Sequence, residues 1–123
     1  MVFKKYGPKV EIKTFESLPV LLVRNLVLFP YVYLPVAVSR DFSTSAIFKS
    51  MSNFDSKILV VLQKDPKQER PSDLNDVYSV GVLCKIIKMD AVSKIKNQYK
   101  VMIQGQERIK LLNLENNSEF YQT

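Results

Sequence analysis

Three short apolar runs of strand length restrict this chain to a fold built on a β-sheet. They are Leu18 to Val23 (LPVLLV), Tyr33 to Val38 (YLPVAV) and Lys57 to Gln63 (KILVVLQ). Each run is rich in aliphatic and β-branched residues, and each is shorter than a typical buried helix. Because continuous apolar runs are typical of strands covered on both faces, we predict three interior strands.

The second half of the chain alternates apolar and polar residues with a period of two. Side chains of a strand point to opposite faces in turn, so this pattern predicts half-buried strands. Gly105 is placed where a tight hairpin needs a residue with positive φ, and we predict a hairpin over residues 98–114. The alternating apolar residues are Tyr78, Val80, Val82, Cys84, Ile86, Tyr99, Val101 and Ile103.

One main helix is predicted over residues 41–54, in the sequence DFSTSAIFKSMSNF. Asp41 or Ser43 can cap its N-terminus, because a short oxygen-bearing side chain accepts a hydrogen bond from a free backbone N–H. Apolar residues recur at spacings of three and four, which places them on one helix face, and we expect this stripe to pack on the sheet as core. The stripe consists of Ala46, Ile47, Met51 and Phe54.

A polar segment, Lys64 to Asp76 (KDPKQERPSDLND), separates the strand-like regions. It contains two prolines and is long for a compact domain, so we predict an exposed and mobile loop. The loop does not divide the chain into domains, because 123 residues are enough for one hydrophobic core.

The residue inventory excludes several kinds of chemistry. The chain has no histidine and one cysteine, so a Ser-His-Asp triad and a zinc site built from imidazoles or several thiolates are both impossible. A phosphate-binding loop of the form GxxxxGK[ST] needs two glycines five apart, whereas the glycines are Gly7, Gly81 and Gly105. We therefore expect a binding or structural domain with no catalytic residue, no metal site and no cofactor.

The single cysteine, Cys84, lies inside the apolar stretch VGVLCKII. It cannot form an intramolecular disulfide, and a buried, unreactive thiol is the interpretation we favour. The N-terminus lacks the apolar stretch of a secretory signal, and no segment reaches the length of a membrane span. These features predict a cytoplasmic protein.

The net charge of +6 is concentrated in one region, because residues 85–110 hold seven basic residues and two acidic ones. We favour the interpretation that these lysines form the solvent face of half-buried strands. The alternative is a nucleic-acid interface, although Tyr99 is the single aromatic residue available for base stacking there. The candidate nucleic-acid contacts are Lys85, Lys88, Lys94, Lys96 and Lys100.

The most apolar stretch, RNLVLFPYVYLP at residues 24–35, is a candidate binding surface as well as a source of core residues. Leu26, Val27, Leu28 and Val32 are aliphatic and are predicted to be core. Phe29, Pro30, Tyr31 and Tyr33 flank a predicted turn and would offer aromatic surface to a protein substrate. Burial of all four in the core is the alternative.

Several linked motifs resemble the N-terminal domain of the Lon ATP-dependent protease family. They occur in the family's order between Leu18 and Leu114, and two positions depart from the family pattern, which usually has glycine where this chain has Tyr31 and Ser39. The motifs are RN at Arg24-Asn25, LFP at Leu28 to Pro30, QKDP at Gln63 to Pro66, VG at Val80-Gly81 and QGQERIK at Gln104 to Lys110.

This resemblance implies a mainly β (α+β) fold, a PUA-like pseudo-barrel of antiparallel strands with one main α-helix, over residues 18–123. It also implies recognition of unfolded or degron-bearing proteins, within a hexamer whose other domains carry ATP, Mg²⁺ and a Ser-Lys dyad. This chain would then be an excised fragment of a longer protein, with DNA as a further candidate partner and no membrane. Residues 1–17 form an extension that adds an edge strand through Val10, Ile12 and Phe15, or stays disordered.

Overall fold

The computed structural model describes residues 2–5, 12–14, 18–25, 31–71, 74–92, 98–112, 114–116 and 120–122. A short 3-10 helix, Leu74–Asp76, lies in the polar loop. The other elements are β1 (Val2–Lys5), β2 (Ile12–Thr14), β3 (Pro19–Val23), β4 (Tyr33–Val38), α1 (Asp41–Asn53), β5 (Lys57–Leu62), β6 (Val80–Ala91), β7 (Tyr99–Lys110), β8 (Glu115–Asn116) and β9 (Tyr121–Gln122).

All of these strands belong to one sheet, in the order β2-β1-β7-β6-β5-β3-β9-β8, with β4 paired to β7 off this path. The predicted mainly β fold with one main helix is confirmed. The expectation of antiparallel strands needs one correction, because β3 and β5 pair in parallel. The chain between them passes through β4 and α1 and so returns to the starting end of the sheet, as a parallel pair requires.

β3 and β5 are covered on both faces, so alternate residues of each strand enter two different cores. Val20 and Leu22 pack in a first core with Phe42 and Tyr121. Leu21 and Val23 pack in a second core that includes Ile47, Val101 and Ile103. The prediction of interior strands in LPVLLV and KILVVLQ is therefore confirmed.

β4 is an edge strand, and the prediction of a third interior strand is wrong. Within the described part of the chain β4 pairs with β7 alone. Tyr33, Pro35 and Ala37 are exposed on one face, while Val38 is buried on the other. Pro35 fits an edge position, because proline has no N–H to give to a second neighbouring strand.

The predicted turn at Gly105 is also wrong. β7 runs without a break from Tyr99 to Lys110, and the hairpin is formed by β6 and β7 instead. Gly105 has no positive φ, and it pairs with Cys84 beside a shift in register. A glycine inside a strand marks a bulge as readily as a turn, and alternation alone does not separate the two.

The helix is confirmed at Asp41–Asn53, with two corrections to its details. Arg40 is the N-cap residue and the helix has no side-chain cap hydrogen bond, so neither Asp41 nor Ser43 caps it. Met51 is 45% exposed and does not belong to the core, although Ala46 and Ile47 are fully buried. The helix packs mainly through its first two and a half turns, which shifts the buried face away from Met51.

Two segments of the N-terminal extension are strands. β1 pairs with the end of β7, where Lys4 lies opposite Lys110, and β2 pairs with β1 at the end of the sheet. Ile12 therefore lies in an edge strand, whereas Val10 and Phe15 lie outside the described residues. No helix in the described ranges is both long and apolar enough to span a bilayer.

Candidate functional site

Tyr31 holds the turn that leads into β4 in an unusual backbone conformation. Its φ is 68°, in the left-handed region that favours glycine. The Tyr31 N–H donates to the carbonyl of Gly105 (2.7 Å), and the Gly105 N–H donates to the carbonyl of Val32 (3.1 Å). These two bonds continue the β4–β7 ladder beyond Tyr33 and hold the turn in place. A tyrosine in this conformation costs about 1 kcal/mol relative to an unstrained residue.

The aromatic side chains around this turn face solvent. Tyr31 is 81% exposed and Tyr33 is 59% exposed, so their burial in the core is excluded. Val32, which was predicted to be core, is 44% exposed, because it follows the left-handed turn and lies outside the regular strand. Phe29 and Pro30 lie outside the described residues, as do Leu26, Val27 and Leu28.

The strand register places two of the candidate nucleic-acid contacts, Lys85 and Lys100, on the same sheet face as Tyr33. Tyr33 pairs with Gln104 of β7, which pairs with Lys85 of β6, and Ala37 pairs with Lys100. Lys88 lies in the next row and forms an ion pair with Asp90 at 3.5 Å. Lys94 and Lys96 lie outside the described residues. The two sets of residues that the sequence assigns to separate hypotheses therefore share one surface.

A cleft of about 440 Å³ opens between the ends of β3 and β4 and the start of α1. Its lining includes the consecutive residues 21–25 and 35–40, together with Ser43. Because successive side chains of a strand point to opposite faces, a lining of consecutive residues means that strand edges face the cleft. None of the described β7 residues lines it, so β4 presents the edge opposite β7.

Arg40 spans this cleft and ties it to the polar loop. Its guanidinium group donates to the carbonyl of Leu22 (2.6 Å) and to the side-chain oxygen of Gln63, and it lies 4.8 Å from the Phe42 ring centroid. Gln63 is fully buried, and its amide donates to the carbonyl of Gln68 (2.8 Å). The loop after β5 is therefore exposed as predicted, but its backbone is anchored at this point.

A second guanidinium, that of Arg24, makes the cleft basic. Arg24 pairs with the exposed carboxylate of Glu69 at 3.3 Å. Burial lowers the pKa of Arg40, and the neighbouring charge of Arg24 lowers this pKa further. Two cations thus repel each other across a cleft in which Glu69 supplies a partial, solvent-exposed counter-charge.

The start of α1 adds hydrogen-bond donors to the same cleft. The first intrahelical bond runs from the Thr44 N–H to the Arg40 carbonyl, so the N–H groups of the three preceding residues have no intrahelical acceptor. Ser43 is only 2% exposed, and its hydroxyl has no hydrogen-bond partner in the part of the chain that the structure describes. Sequence reasoning missed Arg40 and Ser43 as site residues. The available signal was their position at the strand-to-helix junction, next to Arg24 only in three dimensions.

Cys84 offers no nucleophile, as its apolar surroundings predict. Its thiol is fully buried, and this burial raises the pKa to about 12. At pH 8 we expect iodoacetamide to leave Cys84 unmodified in the folded chain and to alkylate it in 6 M guanidinium chloride, because the thiolate is the reacting form. Mass spectrometry measures both states, and rapid alkylation of the folded chain would contradict this prediction.

No group of three or more His, Cys, Asp or Glu residues that could hold a metal ion occurs in the described ranges. The site has the character of a binding surface with two neighbouring parts. One part is the aromatic turn at Tyr31 and Tyr33, and the other is the basic cleft lined by Arg24, Arg40 and Ser43.

Comparisons with known proteins show which family this chain resembles. A sequence profile of the ATP-dependent protease La (LON) substrate-binding domain matches residues 17–123. The Lon protease of Fusobacterium nucleatum is 35% identical over 105 residues, and that of Rickettsia prowazekii is 36% identical over 108 residues. Each alignment covers 85% of this chain and 13% of the relative, so the chain spans about an eighth of the length of these proteins.

Two solved structures share the fold. The N-terminal domain of Mycobacterium avium complex Lon protease superimposes with a TM-score of 0.65 at 19% identity, covering 87% of this chain and 51% of that one. A Lon N-terminal domain protein from Xanthomonas campestris gives a TM-score of 0.64 at 15% identity, with coverages of 88% and 56%. By the profile match and the sequence identities, this chain belongs to the LON substrate-binding domain family.

Proposed function

We propose that this chain recognises and holds unfolded or degron-bearing protein substrates for an ATP-dependent Lon-type protease in the cytoplasm. Tyr31 and Tyr33 form the described part of the contact surface, and Phe29 and Pro30 belong to the same segment. ATP, Mg²⁺ and a Ser-Lys dyad would be supplied by other domains of a longer protein, assembled as a hexamer. Residues 18–123 would be the recognition domain, and residues 1–17 would extend it.

The observation that carries this proposal is the combination of strain and exposure at Tyr31. Glycine would adopt a φ of 68° without steric cost, yet this chain has a tyrosine there, and its side chain is 81% exposed. Such a side chain contributes little to packing in the free domain. A residue that is unfavourable for the backbone and unused by the core is a candidate for contact with a partner.

Aromatic surface suits an unfolded substrate for a physical reason. An unfolded chain exposes apolar side chains at varied spacings, so its receptor needs apolar contact area rather than one shape-specific pocket. Tyrosine provides a large apolar ring while its hydroxyl tolerates water, so Tyr31 and Tyr33 can remain exposed before a substrate binds.

Replacing both tyrosines tests the proposal. We expect Tyr31→Ser with Tyr33→Ser to weaken binding of a denatured model protein about thirtyfold, because two aromatic anchors that each contribute about 1 kcal/mol to an interface together contribute about 2 kcal/mol. Fluorescence anisotropy measures the affinity, and a thermal melt verifies the fold. Tyr78→Ser is the matched control, since Tyr78 is 50% exposed and lies outside β4. Undiminished binding by a folded double variant would remove this turn from the recognition surface.

The single variant Tyr31→Gly separates the backbone effect from the side-chain effect. Glycine relieves the left-handed strain, and this gain of about 1 kcal/mol offsets the greater backbone entropy of glycine in the unfolded chain. We therefore expect the melting temperature to stay the same or rise while substrate affinity falls. A variant that loses stability instead would show that the Tyr31 side chain packs in the free domain.

No observation favours the nucleic-acid alternative. Lys85, Lys88 and Lys100 lie on a strand face where alternation with apolar residues already accounts for them. DNA is therefore left out of the proposed function.

A further inference from the structure

We propose that the cleft between β3, β4 and α1 binds the C-terminal carboxylate of an extended polypeptide, whose last residues pair with the part of β4 that follows Pro35, on the edge opposite β7. This inference rests on the proposed function, because it names the part of a protein substrate that the chain would take. It concerns Arg24, Arg40 and Ser43, and not the aromatic turn.

The charges of the cleft favour an anion over a neutral ligand. Arg24 and Arg40 are close enough for the charge of one to lower the pKa of the other. Glu69, which pairs with Arg24, has a side chain that is 79% exposed and thus offers weak compensation. A bound carboxylate would lie between two guanidinium groups and relieve their repulsion.

Hydrogen-bond donors point to the same place. The Ser43 hydroxyl is nine-tenths buried, lines the cleft and has no partner among the described residues, which is a costly state for a polar group. It lies in the first turn of α1, a helix of 13 residues whose first N–H groups have no intrahelical acceptor. An anion at this position would receive donors from the helix start and from Ser43 together. Asp41, the one acidic residue of this turn, is exposed and does not line the cleft.

The edge of β4 explains why the carboxylate belongs to a chain end. Within the described part of the chain, β4 has β7 on one side and the cleft on the other. A peptide that adds to this edge as a strand directs its side chains to the two sheet faces, so an Asp or Glu side chain would point away from the strand line. The terminal carboxylate continues the backbone itself and can enter the end of the cleft.

The size and lining of the cleft fit a terminal residue with an apolar side chain. A volume of about 440 Å³ lies within the range of small-ligand sites. Apolar residues with exposed surface line the cleft beside the two arginines, among them Pro35, Val36 and Ala37. The inferred ligand is therefore an extended peptide that ends in an apolar residue with a free carboxylate.

Matched peptides test the inference on the 123-residue chain. The probe is a fluorescein-labelled decapeptide of alternating valine and serine that ends in leucine, prepared as the free acid and as the C-terminal amide. We expect the acid to bind about tenfold more tightly than the amide, since a hydrogen-bonded charge pair is lost in the amide. Equal affinities would overturn the inference, as would tight binding of an amide peptide that carries one internal aspartate.

Three variants assign the effect to the cleft. Arg24→Gln and Ser43→Ala are expected to reduce the acid's affinity to that of the amide and to leave the amide's affinity unchanged. Ser43→Ala removes a hydroxyl that has no partner in the described ranges, so it retains the fold even where Arg24→Gln does not. Lys110→Gln is the charge-matched control, because Lys110 is exposed on β7 and does not line the cleft. An equal loss with Lys110→Gln would mean that net charge, and not the cleft, selects the acid.

The tyrosine double variant separates this inference from the proposed function. We expect Tyr31→Ser with Tyr33→Ser to weaken binding of a denatured protein while the ratio of acid to amide affinity is retained. Loss of the acid preference alone, with denatured protein still bound through the tyrosines, would overturn the cleft assignment and leave the proposed function standing. Absence of binding to every peptide and to denatured protein would overturn both.

Discussion

Gly81→Ala is expected to lower the free energy of unfolding by about 3 kcal/mol, because the backbone of β5 leaves no room for a methyl group. A Cβ atom at Gly81 would lie 2.7 Å from the carbonyl oxygen of Val60 and 3.0 Å from a methyl carbon of Val61. Gly81 lacks a positive φ, so the constraint is space and not backbone conformation. The carbonyl of Val60 belongs to a strand paired on both sides and cannot move away cheaply.

Urea unfolding followed by circular dichroism measures this effect. Ser79→Ala is the control, because Ser79 is exposed and its backbone carbonyl, which the substitution keeps, accepts from the N–H of Leu111 at 2.6 Å. We expect the control to change stability by less than about 0.5 kcal/mol. A loss below about 1 kcal/mol for Gly81→Ala, with an unchanged m-value, would contradict the close approach of β5 and β6.

Tyr121→Ala is expected to cost about 4 kcal/mol, since it empties a large site in the first core. Tyr121 is fully buried in β9, its ring meets that of Phe42 edge-to-face at 5.0 Å, and its hydroxyl donates to the carbonyl of Pro71. Tyr121→Phe keeps the ring and removes the hydroxyl, so it should cost only about 1–2 kcal/mol. The two variants thus divide the contribution of Tyr121 between packing and hydrogen bonding, and equal losses would contradict this division.

The same tyrosine predicts a pH dependence. Burial raises the pKa of Tyr121 above its ordinary value, and this effect outweighs the opposing charges of Arg70 and Arg40. The unfolded chain therefore releases this proton at about pH 10 while the folded chain still holds it, so stability falls as the pH rises above about 10. We expect Tyr121→Phe to lose stability less steeply than the parent chain across this range, as measured by urea unfolding at pH 8, 9 and 10.5.

Local pattern was sufficient for much of the architecture. The runs LPVLLV and KILVVLQ are apolar at every position or nearly so, and a strand can bury consecutive residues only when both of its faces are covered. In residues 41–54, apolar side chains recur at the helical spacings of three and four, so the helix was also predictable from the sequence. These inferences succeeded because the periods of strands and helices depend on the backbone alone.

Each of the mistaken inferences depends on how one segment pairs or packs with others in the folded chain. In composition, YLPVAV resembles an interior strand. It is an edge strand because it pairs with β7 alone within the described part of the chain, and composition does not indicate how many strands a segment pairs with. The sequence around Gly105 is compatible with a turn or a bulge. Because β7 pairs with β6 on both sides of Gly105, this residue lies within a strand, beside a shift in register. Met51 fits the helical stripe, but α1 packs on β3 mainly through its earlier turns, so Met51 is left at the surface.

For the candidate site too, some features follow from the sequence and others only from the tertiary structure. The sequence by itself determined that RNLVLFPYVYLP is an unusually apolar segment with two prolines, that histidine chemistry is absent, and that the family motifs occur in order. Only the tertiary structure decided that Tyr31 is strained and exposed, and that Arg24 and Arg40 share a cleft with Ser43. The physical reason is distance along the chain. Strand and helix periods are set by adjacent residues, whereas a cleft is formed by side chains whose proximity depends on how β3, β4 and α1 pack together.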